Sequence, residues 1–277
     1  MRIDSHQHFW NYDPVRDSWI DDSMSVIKKD FLPKDLKPIL EANSVDGCIA
    51  VQADQSEIET QFLLDCAQEN PFIKGVVGWL DLRAEDIEDR LKHFSKNKLF
   101  VGVRHIVQGE ADDAFMLKPD FLNGINKLEQ FGLTYDILIH QGQLQQAIDL
   151  VKVCPNQQFV LDHIAKPQIS EGLNATWVSH IKELASYENV SCKISGMVTE
   201  TKDYKWNKGD FISFIDVVVD AFGVDRLLYG SDWPVCLLAG EYQRILQIVE
   251  NYFVGFSEEE KSMIMGGNAI KIYNIKK

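Results

Sequence analysis

The chain has 277 residues, 45% of them hydrophobic, enough to bury one sizeable core as a single domain spanning residues 1–277. Its 28 basic residues against 42 acidic ones leave a formal charge of −14, which opposes a polyanion and argues against nucleic acid as a partner. No run approaches the ~18 apolar residues of a membrane span, and the chain does not open with a basic stretch followed by an apolar one, so a cytoplasmic protein without membrane contact is expected.

Eight short β-branched or apolar runs predict strands at Arg2–Ser5, Val45–Gln52, Ile73–Leu80, Phe100–Val107, Leu133–His140, Gln158–His163, Val190–Ser195 and Leu227–Ser231. Helical stripes lie between them: Ile58, Phe62 and Cys66; Leu144, Ala147, Ile148 and Val151; Phe211, Phe214, Ile215, Val218, Val219 and Phe222. Turn residues stand at the joints, at Asn70-Pro71, Gly132, Cys154-Pro155-Asn156 and Gly223. Strict alternation of strand and helix, with near-continuous apolar character in the later strands, predicts an α/β fold with a parallel sheet buried on both faces. A (β/α)₈ TIM barrel closes such a sheet most simply, with an open doubly wound sheet as the alternative. No glycine-rich phosphate fingerprint opens the first helix. Cys48, Cys66, Cys154, Cys192 and Cys236 are scattered without a CxxC pair and read as reduced packing residues. The long non-periodic stretch from Phe9 to Leu32 is expected to lie over the active face.

Polar residues collect at the predicted C-terminal strand ends, where the βα loops of a barrel build its site. His6 and His8 stand two apart and face the same way, able to share a metal or a substrate oxygen. Asp232 follows Gly230-Ser231 off the last strand, and barrel closure brings it beside this pair. His163 ends the sixth strand. His140 ends the fifth, either as a further imidazole of the mouth or as a residue satisfied beneath a loop. Arg104 and His105 alternate, so one points inward; Arg104 either grips substrate or pairs with an acid. Lys166 before Pro167 is a candidate substrate contact. His93 and His180 lie on helices and read as surface or packing residues.

The motifs Asp4-Ser5-His6-Gln7-His8-Phe9-Trp10, Gly102-Val103-Arg104-His105, Leu161-Asp162-His163-Ile164-Ala165-Lys166-Pro167 and Tyr229-Gly230-Ser231-Asp232-Trp233-Pro234-Val235 together resemble the amidohydrolase-2 lactonases, most closely the L-fucono-lactonase-like group. The resemblance implies a hydrolase of L-fucose catabolism that opens L-fucono-1,5-lactone, or a related L-galactono or L-rhamnono lactone, to its aldonate. By analogy Asp232 acts as general base, and His6, His8 and His163 polarise or position the carbonyl and water. Arg104, His105, His140, Lys166 and Trp233 contact the substrate. A lactone has a reasonable leaving alkoxide, so a positioned base with oxyanion stabilisation can suffice. The resemblance leaves the cofactor open between none and one divalent metal ion, zinc first, with His6, His8, His140 and Asp232 as ligands. No lysine ends the fourth strand, so a bridged two-metal centre is not expected. A zinc-dependent decarboxylase or hydratase and a non-catalytic sugar-acid-binding barrel remain as alternatives. Homo-oligomerisation stays open.

Overall fold

A computed structural model describes residues 1–276. All eight predicted strands form: β1 Ile3–Gln7, β2 Gly47–Val51, β3 Ile73–Gly78, β4 Phe100–Ile106, β5 Thr134–Leu138, β6 Phe159–Leu161, β7 Val190–Ile194 and β8 Leu227–Tyr229. They pair in parallel and in sequence order. An open doubly wound sheet reverses its strand order at a switch point, and this sheet does not. Its two ends meet instead. Ser5 Oγ donates to the Tyr229 carbonyl at 2.6 Å, and the chain just past β8 joins β1 through a parallel bridge between Gln7 and Trp233. The fold is the (β/α)₈ barrel.

Helices α1 Pro33–Ala42, α2 Glu57–Glu69, α3 Ile87–Phe94, α4 Pro119–Leu128, α5 Leu144–Val153, α6 Ala175–Ala185, α7 Ile212–Phe222 and α8 Tyr242–Tyr252 surround the strands. The predicted stripe of α5 is buried, as are Phe214, Ile215, Val218 and Phe222 of α7. The stripe on α2 is corrected. Cys66 is buried and Phe62 packs partly buried against the core, but Ile58 is 85% exposed, and the buried face also takes in Thr60, Leu63, Leu64 and Ala67, with Thr60 Oγ1 donating to the Trp79 carbonyl. Among the described residues no helix is long and apolar enough to cross a membrane. All five cysteines are buried and free.

Two cores hold the barrel. The larger fills the space between strands and helices. The smaller lies inside, formed by Ile3, Ile49, Val51, Val77, Val101, Val160 and Leu228, with Ala269 and Tyr273 packed against it from the C-terminal segment. Each such buried aliphatic side chain contributes roughly 1.5–3 kcal/mol. A terminal helix, Asn268–Ile272, thus plugs one end of the barrel and leaves the other for the polar residues.

Candidate active site

A register shift between Asp4 and Gln7 sets the first strand. It lets Ile3 join the inner core while His6 and His8 also face inward. Asp4 has the opposite job. Its Oδ1 accepts from the His6 amide at 3.1 Å and the Ser231 amide at 2.9 Å, and its Oδ2 accepts from Tyr242 Oη at 3.1 Å. This buried carboxylate ties β1 to the turn that carries Asp232, and burial raises its pKa to about 6.

Three imidazoles converge on one oxygen. His8 Nε2 lies 3.3 Å, His6 Nε2 3.8 Å and His163 Nε2 4.0 Å from Asp232 Oδ1. Burial opposes the Asp232 charge, but His163, the contact with His8, and His6 outweigh it and hold the carboxyl well below the ordinary carboxylate range. Burial pushes His163 down to about 4 and His6 well below its usual value. At neutral pH the site therefore holds an ionised carboxylate facing neutral His6 and His163.

The loop after β6 is strained. His163, Ile164, Ala165 and Lys166 have φ of 53°, 48°, 61° and 47°, four consecutive left-handed residues without a glycine. Each costs roughly 1–2 kcal/mol. Trp177 Nε1 donates to the Ile164 carbonyl at 3.0 Å, and His163 Nδ1 meets Ser195 Oγ at 2.9 Å, so surrounding packing holds the turn. Its effect is to aim both His163 and Lys166 into the mouth.

Beneath the imidazoles lies a charged layer. Arg104 Nη1 donates to Asp162 Oδ2 at 3.0 Å and to His6 Nε2 at 3.2 Å, while its Nη2 donates to the Gln52 carbonyl. Lys193 Nζ pairs with Asp136 Oδ2 at 2.6 Å and Asp162 Oδ1 at 2.9 Å. The mouth above is a cavity of about 380 Å³, walled by Trp10, Trp19, Ile106, Leu138 and Val235, with Arg104, Gln108, Lys166, His8, His163 and Asp232 as its polar lining. Trp10 and Trp19 come from the long loop after β1.

Comparisons with known proteins show the family. An amidohydrolase family model matches residues 3–275. The chain belongs to the amidohydrolase family. It is 39% identical to an L-fucono-1,5-lactonase of Burkholderia multivorans, covering 99% of this chain and 96% of that one, and 33% identical to an L-fucono-1,5-lactonase of Burkholderia ambifaria with the same coverage. An amidohydrolase of Burkholderia multivorans crystallised with bound zinc superposes with a TM-score of 0.96 at 38% identity, each chain covered completely.

Within this amidohydrolase, three sequence expectations need correction. His140 is exposed beyond the end of β5, where its amide donates to Gln143 Oε1 at 3.1 Å, and it is not in the His–Asp cluster. His105 points outward: Nε2 pairs with Glu110 Oε1 at 2.7 Å, Nδ1 accepts from Trp79 Nε1 at 3.1 Å, and the ring stacks on Phe115. Trp233 is buried against Phe9 and Phe31 and is not part of the cavity wall. Asp4, Asp136, Asp162 and Lys193 were not singled out as site residues from the sequence. The available signal was a charged residue inside an otherwise apolar barrel strand or at its end, where burial demands a partner.

The residues fit one divalent ion. His8 Nδ1–H donates to the Val51 carbonyl at 2.7 Å, which directs Nε2 at the Asp232 oxygen 3.3 Å away. A divalent cation between these two atoms would be held by both. Ligand atoms of His6, His8 and Asp232 all lie within 4.8 Å of one another, and the carbonyl behind His8 is the kind of outer partner that orients a metal-binding imidazole.

Proposed function

We propose that this chain is a carboxylic-ester hydrolase that opens a sugar lactone, L-fucono-1,5-lactone or a related L-galactono or L-rhamnono lactone, to its aldonic acid. The observation that carries the reading is the ionised Asp232 set against His6, His8 and His163 at the floor of a largely apolar mouth. The full-length similarity to two L-fucono-1,5-lactonases supports it.

In this reading Asp232 takes a proton from water as the water oxygen bonds to the lactone carbonyl carbon. As the tetrahedral intermediate collapses, the bond to the ring oxygen breaks and Asp232 returns the proton to that oxygen. The product is an open hydroxy acid, which ionises in solution. His163 and His6 present Nε2 to the reacting groups, and Lys166 binds the polar side of the sugar. A divalent ion held by His6, His8 and Asp232, zinc first, would acidify the water and polarise the carbonyl.

Substrate charge separates this reading from a decarboxylase of acidic substrates. Of the two cations lining the cavity, Arg104 is committed to Asp162, His6 and Gln52, which leaves Lys166, itself 3.6 Å from Glu200. One such cation beside aromatic and aliphatic walls suits a neutral ring. A prompt proton-release assay across 1,4- and 1,5-aldonolactones tests the assignment. Release well above the spontaneous rate is expected from L-fucono-1,5-lactone, and none above it from any lactone of the panel would overturn the reading.

A further inference from the structure

The inside of this barrel is aliphatic except for one column of charge. Tyr273 Oη, rising from the C-terminal plug, donates to Asp136 Oδ2 at 2.7 Å. Lys193 Nζ sits between Asp136 Oδ2 at 2.6 Å and Asp162 Oδ1 at 2.9 Å, and Asp162 Oδ1 lies 3.3 Å from His6 Nδ1. Lys193, Asp136 and Asp162 are all fully buried. Dehydrating such ions costs several kcal/mol each, and an aliphatic filling is commonly as stable. The interior just below is filled that way, with Ile3, Val51 and Leu228.

The contacts around His6 decide its tautomer. Nδ1 faces the Asp162 acceptor at 3.3 Å and the Lys193 donor at 3.2 Å. Nε2 faces the Arg104 donor at 3.2 Å, with Asp232 Oδ1 at 3.8 Å, beyond hydrogen-bond reach. A proton on Nδ1 has the Asp162 acceptor beside it and leaves Nε2 to accept from Arg104, while the freely rotating ammonium of Lys193 can turn its protons to Asp136 and Asp162; a proton on Nε2 meets the rigid Arg104 fork donor to donor and has no acceptor within reach. We propose that Tyr273, Asp136 and Lys193 are positioning residues that fix the Asp162 carboxylate, so that His6 keeps its proton on Nδ1 and its Nε2 stays an acceptor, held by Arg104 on the Asp232 side of the ring. Order in the C-terminal plug is thereby passed to the mouth through two hydrogen bonds, Tyr273 to Asp136 and Lys193 to Asp136, and two ion-pair contacts, Lys193 with Asp162 and Asp162 with His6. The proposal rests on the lactonase reading only for its kinetic arm.

The test uses chelator-treated, full-length protein with ¹⁵N-labelled histidine, in which the ring nitrogen shifts report the tautomer without any substrate. Lys193→Met combined with Asp136→Asn removes one positive and one negative charge together and spares the fold an unpaired ion. The expected result is a His6 ring that shifts to Nε2–H or to a mixture, with kcat lower by about 10- to 100-fold and KM within about twofold. Tyr273→Phe should move both readouts the same way, with kcat down about fivefold, and it decides the matter if the double variant does not fold. An unchanged tautomer overturns the proposal, even with reduced kcat, since loosened packing alone would give that. Failure of wild-type protein to open any lactone would instead fall on the functional reading, and the tautomer measurement would still stand.

Discussion

The Asp232 amide donates to the His6 carbonyl at 2.8 Å, so one backbone bond across the seam of the barrel fixes the relative position of the Asp232 carboxylate and the first imidazole. The Asp4 carboxylate reinforces that seam by accepting from the amides of His6 and Ser231. Catalytic geometry and barrel closure are the same set of contacts here.

Asp232→Asn keeps the side-chain volume but cannot accept a proton from water. We expect kcat to fall by about 10³-fold with KM changed little, on a protein whose near-ultraviolet circular dichroism matches wild type. Retention of more than a tenth of wild-type kcat would remove Asp232 from the role of base.

The metal reading separates two histidines. Zinc titrated calorimetrically into chelator-treated protein should bind one equivalent, and His8→Ala should weaken it at least about tenfold. His140→Ala should leave the affinity unchanged, because that ring lies outside the His–Asp cluster. Equal weakening by both variants would contradict the ligand set.

Gly196 has a left-handed φ of 62°, and a Cβ there would stand 2.3 Å from His163 Nδ1. Gly196→Ala therefore has to displace the imidazole as well as adopt a left-handed backbone. Loss of about 1–3 kcal/mol in urea unfolding is expected, together with reduced kcat. A variant with wild-type stability and turnover would show that His163 tolerates movement.

Acid should destabilise the metal-free protein partly through His163, whose pKa drops from 6.5 to about 4 on burial. Between those values the unfolded chain binds a proton that the folded chain refuses, so stability is lost as pH falls from 6.5 towards 4. The full effect is about 3 kcal/mol. Urea unfolding at pH 7 and pH 4.5 should show wild type losing more stability than His163→Asn, and equal losses would place the acid sensitivity elsewhere.

Lys166→Met removes the cation of the cavity wall that is not committed to the buried layer. A KM increase of about tenfold or more with kcat largely retained is expected in the lactone assay, the effect of losing one hydrogen bond from a charged donor. An unchanged KM would mean that Lys166 serves Glu200 and not the substrate.

Much of this protein is written locally. Period-two and period-3.6 patterns placed all eight strands and the faces of α5 and α7, because each depends only on near neighbours in the chain. His6, His8, His163 and Asp232 could be found at strand ends because parallel barrels put their loops there. Sequence could not say that His140 leaves the mouth, that His105 turns outward or that Trp233 packs inside, since each outcome depends on where a short strand stops and what stands across from it. On α2 the buried face centres on Leu63, Leu64 and Ala67, so Ile58 at the start of the apolar stripe is left in solvent. The column from Tyr273 to His6 was least visible of all. Its members come from β1, β5, β7, the end of β6 and the C-terminal segment, and only closure of the barrel brings their charges within hydrogen-bond distance, where burial makes each one depend on the next.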